Sequence, residues 1–307
     1  MQGELTIGIE EEFQIIDPET RELDSFITEM VDASQRLSDV ELKPELHQSV
    51  VEVGTTICAD IRQAHEEVVR NRREASKVAR SVGKRIGAAS THPFSLWKDQ
   101  PISAGERYQL LLKEYQDVVR ANLIFGMHVH VGITDKEEAI AVYNASRYFL
   151  PHLLALSTSS PFFEGRNTGM KSFRSLIWKR LPRTDIPDRF RSYQEFESFV
   201  NLLVKTGCID DGRRIWWDVR PHPLFSTIEF RVCDLPTRVD ETISIAALIQ
   251  ALVGFLIRLH RRNQDWRDYV PALIQENKWR ALRYGVDASM IDFGKQEAQS
   301  FHELGRE

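Results

Sequence analysis

The sequence predicts an α+β fold: one mostly antiparallel sheet with helices packed on one side. Short segments that alternate apolar and polar residues are separated by pairs of helical segments, not by the single crossovers of a strict β-α-β order. No internal repeat and no Gly/Ser-rich linker divides the 307 residues, so a single domain, 1–307, is the simplest organisation. Hydrophobic residues make up 42% and charged residues 28%, the balance of a globular chain long enough to bury a substantial core.

The net charge of −5 gives no reason to expect nucleic acid or an anionic membrane as partner. Cys58, Cys208 and Cys233 are widely spaced and form no C-x-x-C pair, which argues against a disulfide framework and a structural zinc site. No basic-plus-apolar signal segment opens the chain, and a cytoplasmic protein is expected. The uncharged run Ile243–Ile257 is short for a membrane span and reads as a buried helix.

In order, Thr6–Ile16 alternates as a strand and ends at the turn Asp17-Pro18-Glu19-Thr20. Leu46–Val53 is a second strand, Asp60–Val82 a long amphipathic helix, and Ser90–Phe94 a Pro-containing loop. Ala104–Leu123 reads as helix, Ile124–Ile133 as strand, and Lys136–Leu156 as helix broken or kinked at Pro151. Ser157–Arg174 is a long polar loop without periodicity, of the kind that often carries function. Tyr193–Thr206 is a short helix, Ile215–Arg220 leads into a Pro-His-Pro bend, and Thr227–Asp234 is a clean alternating strand. Asp240–Arg261 and Trp266–Arg283 are helices with Asp240 and Asp265 as expected N-caps.

The chemistry lies on the polar parity of the strands. Glu10, Glu12 and Gln14 share one face, and two carboxylates about 7 Å apart along a strand repel unless something positive lies between them. Taken alone, the stretch fits a solvated edge strand as well as a metal site. Glu11, on the apolar parity, is expected to be structural or to face substrate. In Met127–Ile133 the odd positions are apolar, so His128 and His130 share the other face, with Gly126 and Gly132 leaving room for a ligand. Glu229 and Arg231 lie together on the strand after Thr227, where a cross-strand ion pair on a wet face is the plainer reading. Glu45 and Glu52 are seven apart, an odd spacing, so either Glu45 precedes its strand or a bulge re-aims one of them.

A set dominated by carboxylates with one or two imidazoles suits Mg²⁺ or Mn²⁺ better than zinc, and four carboxylates call for more than one ion. The implied chemistry is phosphoryl transfer from a nucleotide, with Arg174 and Arg231 as candidates to neutralise the moving phosphoryl charge. Neither a P-loop nor a Gly-x-Gly-x-x-Gly run is present.

Six motifs occur in a joint order that spans nearly the whole chain: Gly-Ile-Glu-Glu-Glu-Phe (8–13), Thr-His-Pro-Phe (91–94), Gly-Met-His-Val-His-Val-Gly (126–132), Leu-Ser-Thr-Ser-Ser-Pro (156–161), Trp-Trp-Asp-Val-Arg-Pro (216–221) and Ile-Glu-Phe-Arg-Val-Cys-Asp (228–234). With them the chain resembles the carboxylate–amine ligases, also called glutamate–cysteine ligase type 2-like, of the glutamine synthetase-like superfamily. The resemblance implies a sheet curved into a funnel holding ATP and divalent metal, and ATP-dependent joining of a carboxylate to an amine through an acyl-phosphate, with glutamate and cysteine the default substrates. It implies Glu10, Glu12, Glu45, Glu52, His128 and Glu229 as metal ligands, Arg231 facing phosphate, and His130, Arg174 and Trp217 lining substrate or nucleotide. Asn167 stands where an aspartate is expected. Such ligases usually continue well past the equivalent of Phe293-Gly294, so a C-terminal helical portion is expected to be missing. The helices leave room for a homodimer. Two other readings compete: a metal-dependent amidase or hydrolase built on His128-x-His130, and a nucleotide-binding relative that does not catalyse.

Overall fold

A computed structural model of the chain describes residues 5–306. Its strands are β1 (Ile7–Ile16), β2 (Lys43–Pro44), β3 (Val50–Gly54), β4 (Arg85–Gly87), β5 (Met127–Gly132), β6 (Phe162–Phe163), β7 (Arg166–Asn167), β8 (Val219–Pro221), β9 (Thr227–Phe230), β10 (Ser289–Asp292) and β11 (Glu297–Ser300). Its α-helices are α1 (Ile27–Leu37), α2 (Ile61–Ser81), α3 (Glu106–Tyr115), α4 (Asp117–Arg120), α5 (Lys136–Ser146), α6 (Leu150–Ser157), α7 (Arg174–Trp178), α8 (Tyr193–Lys205), α9 (Val239–His260), α10 (Pro271–Tyr284) and α11 (Phe301–Leu304).

Seven strands form one sheet in the order β2-β3-β1-β5-β9-β8, with β4 paired to the end of β1, and every pairing is antiparallel. Alternation decides which face is core. Ile7, Ile9, Phe13 and Ile15 of β1, Val51 and Val53 of β3, Met127, Val129 and Val131 of β5, and Ile228 and Phe230 of β9 are all buried and belong to one cluster. Each such side chain contributes roughly 1.5–3 kcal/mol of hydrophobic stabilisation. The apolar sides of α2, α5 and α9 pack against this face. The opposite face carries the polar residues.

Glu11 is the charged residue of the core face. It is buried and held bidentately by Arg72 of α2, with Nη2–Oε1 at 2.6 Å and Nε–Oε2 at 3.0 Å, and it accepts from Thr242 Oγ1 of α9 at 3.0 Å. A paired and fully hydrogen-bonded charge can be buried at modest cost. Glu11 therefore bolts the central strand to two helices, a structural part.

Several expected boundaries shift for local reasons. The segment 46–49 is bend and turn apart from a single bridge from His47 to Ile102, so β3 begins only at Val50. The helix expected over 104–123 breaks at Gln116, whose φ of +48° lies in the left-handed region. Pro151 lies in the first turn of α6, which follows a 3-10 turn, where a missing N–H breaks no helical hydrogen bond. Asp265 does not cap a helix, because α10 begins at Pro271. In α9 the cap is at Arg238, whose N–H donates to Glu241 at 3.1 Å, and not at Asp240. Among the described residues α9 is the one helix long and apolar enough, by length and composition, to cross a membrane. It packs against α2, α5, α6 and β5, but only 44% of its most apolar stretch is buried. The helix expected over the run 243–257 is there and buries one side, with Ile245, Ile249, Val253 and Leu256 inside and Leu248 and Phe255 exposed.

Candidate active site

Register assembles the site. On the polar face Glu10 of β1 pairs with His128 of β5, Glu12 with Glu52 of β3, and Glu229 of β9 with both His130 of β5 and Arg220 of β8. Directly opposed residues on one face bring their side chains together. Two clusters result, Glu10–His128–Glu229 and Glu12–Glu45–Glu52, and in each one donor atom per residue lies within 4.8 Å of the others. Glu45 follows the short strand β2, whose Lys43 pairs with Glu52, so it lies before β3 on the connecting turn. The odd spacing needs no bulge.

Both clusters border one cavity of about 530 Å³. Arg174, Arg220 and Arg231 join its wall, and Trp178, Trp216, Leu111 and Leu181 make part of it apolar. Glu229 is buried and engaged by two guanidiniums: Arg220 Nε reaches Oε2 at 2.6 Å, and Arg231 bonds to Oε1. Burial pushes the Glu229 carboxyl up, but the charges of Arg231 and Arg220 prevail and hold it far below the usual range. Burial likewise opposes ionisation of Glu10, and its hydrogen bond with His128, with His130 3.6 Å away, holds it down. Burial, reinforced by the charge of Arg231, lowers His128 to about 4, so at neutral pH its ring is an uncharged lone-pair donor.

The second cluster behaves oppositely. Burial and the charge of Glu52 push Glu12 up to about 7. Burial and the charges of Glu52 and Glu12 push Glu45 well above its ordinary value, and burial with Glu10 raises Glu52. Lys43 Nζ, 3.4 Å from Glu52, is the cation in salt-bridge reach of this trio among the described residues. Such mutual repulsion is what a cation would relieve. Oxygen-rich donors with a neutral imidazole fit a hard divalent ion.

Two expected site residues stand elsewhere. Trp217 is turned into the core, stacked on Phe199 at 5.6 Å and packed near Tyr143 and Phe190. It has the parity of Val219, while Trp216 has the parity of Arg220 and reaches the cavity. His130 lies 3.6 Å from Glu10, but its ring is covered by His222 and Phe225 and does not wall the cavity. Arg220, His222, Lys43, Trp178 and Trp216 line it without having been expected. Arg220 was within reach of the sequence, since Pro221–Thr227 is a short connection that must pair it with Glu229.

An antiparallel sheet whose polar face gathers paired carboxylates and arginines around one cavity suits metal-assisted phosphoryl transfer, the chemistry of an ATP-dependent ligase. Relatives agree with that class. The chain is 58% identical over 299 residues to a protein of Sorangium cellulosum, covering 97% of this chain and 80% of the relative. It is 55% identical to one of Herpetosiphon aurantiacus, covering 97% and 78%. Both are named "Putative glutamate–cysteine ligase 2". The family model for glutamate–cysteine ligase family 2 (GCS2) matches residues 6–307, and the chain belongs to that family. Solved structures share the fold at low identity. A glutamate–cysteine ligase from Francisella tularensis in complex with AMP gives a TM-score of 0.70 at 13% identity, covering 99% of this chain and 76% of that one. A bifunctional glutathione synthetase from Pasteurella multocida gives 0.67 at 15%, covering 92% and 42%.

Proposed function

We propose that the protein joins the γ-carboxyl group of glutamate to the amino group of cysteine, using ATP and Mg²⁺ or Mn²⁺. The observation that carries this is the pair of carboxylate clusters on one cavity wall beside Arg174 and Arg231. The family and the names of its relatives support glutamate and cysteine as the substrate pair. In the reaction a carboxylate oxygen attacks the γ-phosphorus and ADP leaves. The amine nitrogen then attacks the acyl-phosphate carbon, phosphate leaves, and the amine gives up a proton.

Glu10, His128 and Glu229 would hold one cation, and Glu12, Glu45 and Glu52 another. Bound there, the ions would neutralise phosphate oxygens and keep the transferred group in line. Arg231 stands beside Glu229 with its guanidinium 5.6 Å from the Trp178 ring, and its buried Nε has no hydrogen-bond partner among the described residues. It is the group proposed to meet the phosphoryl charge, with Arg174 as its companion. The walls would orient the reactants, so no nucleophilic side chain is required. A hydrolase built on His128-x-His130 would need both rings at the cavity, and His130 is covered.

The test is ADP release with glutamate, cysteine, ATP and Mg²⁺ all present, with product mass read in parallel. A dipeptide mass with ADP in equal amount is expected. ADP without dipeptide, across a wider set of amino acids, would remove the ligase reading for these substrates.

A further inference from the structure

Leu-Ser-Thr-Ser-Ser-Pro (156–161) and Asp234 at the end of the 228–234 motif have no part in the chemistry above, yet they meet in space. Asp234 is completely buried, and its carboxylate gathers donors from both ends of the long polar segment. Oδ2 accepts from the Ser159 N–H at 2.9 Å and from Ser160 Oγ at 2.6 Å, while Oδ1 accepts from Ser172 Oγ at 2.9 Å. The Asp234 N–H in turn donates to Ser157 Oγ at 3.2 Å. Charge-assisted bonds of this kind are about twice as strong as neutral ones.

The segment they close carries Arg174. Ser160 Oγ, held by Asp234, accepts the Arg174 backbone N–H at 3.1 Å, and Ser172 Oγ is 2.9 Å from Ser175 Oγ. From this anchor the Arg174 side chain reaches across Gly126 to the Arg231 carbonyl, with Nη2–O at 3.2 Å. A Cβ on Gly126 would come within 2.5 Å of Nη2, so the guanidinium lies flat against that glycine. The Gly126 N–H donates to Glu12 at 2.6 Å, and Glu12 and Arg174 line the same cavity. Its buried Nε has no hydrogen-bond partner among the described residues, leaving a donor unspent.

We infer that Asp234 is a positioning residue for Arg174, acting through Ser160 and Ser172, and that the serine motif exists to fix this arginine at the cavity. The inference rests on the proposed role of Arg174 toward phosphate. Backbone bonds also tie the segment down, the Lys171 and Ser172 N–H groups donating to the Leu282 carbonyl of α10 at 2.8 and 3.0 Å, but the contacts that reach the Arg174 N–H run through Ser160 and so to Asp234. Without the clamp the arginine would keep its chemistry and lose its place.

The test is a double-mutant cycle on the full chain, with Asp234→Asn, Arg174→Ala and both together, read as kcat and KM for ATP in ADP release. Misplacement of a charge-bearing group by about 1 Å costs on the order of 10²-fold, so Asp234→Asn is expected to lower kcat by about 10- to 100-fold. It should add little to the loss in an Arg174→Ala background, because both remove the same interaction. Ser160→Ala, which keeps the buried carboxylate, is expected to give a smaller loss, absent again in the Arg174→Ala background. If Asp234→Asn does not fold, the Ser160→Ala cycle decides. Losses that multiply, or an unchanged kcat in both Asp234→Asn and Ser160→Ala, overturn the positioning inference. An unimpaired Arg174→Ala instead overturns the role of Arg174 itself, and the inference with it.

Discussion

Glu12→Gln is expected to make the metal-free protein more stable. Glu12 is pushed up to about 7 by burial and by Glu52, from an ordinary value of 4.5. The folded chain therefore binds this proton more tightly than the unfolded chain, and the wild type loses stability as pH rises from about 4.5 to about 7. The full difference corresponds to about 3.4 kcal/mol, and the exposure of Glu12 to the open cavity reduces it to about 2 kcal/mol. Glutamine keeps an acceptor for the Gly126 N–H and removes the charge. The gain over wild type should be near zero at pH 4 and about 2 kcal/mol at pH 7.5. His47, His128 and His152, each lowered to about 4 chiefly by burial, change stability in the opposite sense below pH 6.5. They do so in both variants and cancel in the difference. Urea unfolding of chelator-treated protein at the two pH values measures it. Added Mg²⁺ should then stabilise the wild type more than the variant, which keeps the Glu10–His128–Glu229 set. A variant that is less stable at pH 7.5, or a difference that does not change with pH, would refute the account of this cluster as repelling carboxylates awaiting a cation.

Other substitutions separate site from scaffold. Glu229→Gln leaves Arg220 and Arg231 buried without a counter-charge and should cost about 3–5 kcal/mol in urea unfolding, together with loss of ADP release. Trp217→Ala should cost about 3–5 kcal/mol while KM for ATP stays near wild type, whereas Trp178→Ala, whose ring lies under Arg231, should raise that KM. Arg72→Met strands Glu11 in the core and should destabilise by about 3–5 kcal/mol, with the kinetics of the folded fraction unchanged.

The part of the site legible in the sequence is the part written in strand parity. Glu10, Glu12, His128 and Glu229 share a face because a period of two leaves no other arrangement once their apolar neighbours are buried. Glu11 was readable as a structural residue for the same reason, although its partners Arg72 and Thr242 were not, since they come from helices distant in sequence. Trp217 was misassigned where the rule was available: Arg220 on the polar side places Trp216, not Trp217, beside it. Glu45 lay beyond the rule because a turn, unlike a strand, imposes no parity. The polar segment 157–174 was recognisable as irregular, but its serines answer to Asp234, and nothing local to the segment names a partner more than sixty residues downstream. Helix starts followed Pro271 and Glu241, stronger local signals than Asp265 and Asp240.

The placing of β1 between β3 and β5 has a kinetic consequence. Glu10 and His128 are 118 residues apart in the chain, and neither cluster exists until β1 has paired, with β3 for Glu12–Glu45–Glu52 and with β5 for Glu10–His128–Glu229. Closing such long loops comes late and slows folding. A cation cannot then nucleate the sheet, since the donors that would hold it are scattered until the ladder has zipped. Its effect should fall on the reverse step, lengthening the life of the finished protein while the refolding rate stays as it is without metal.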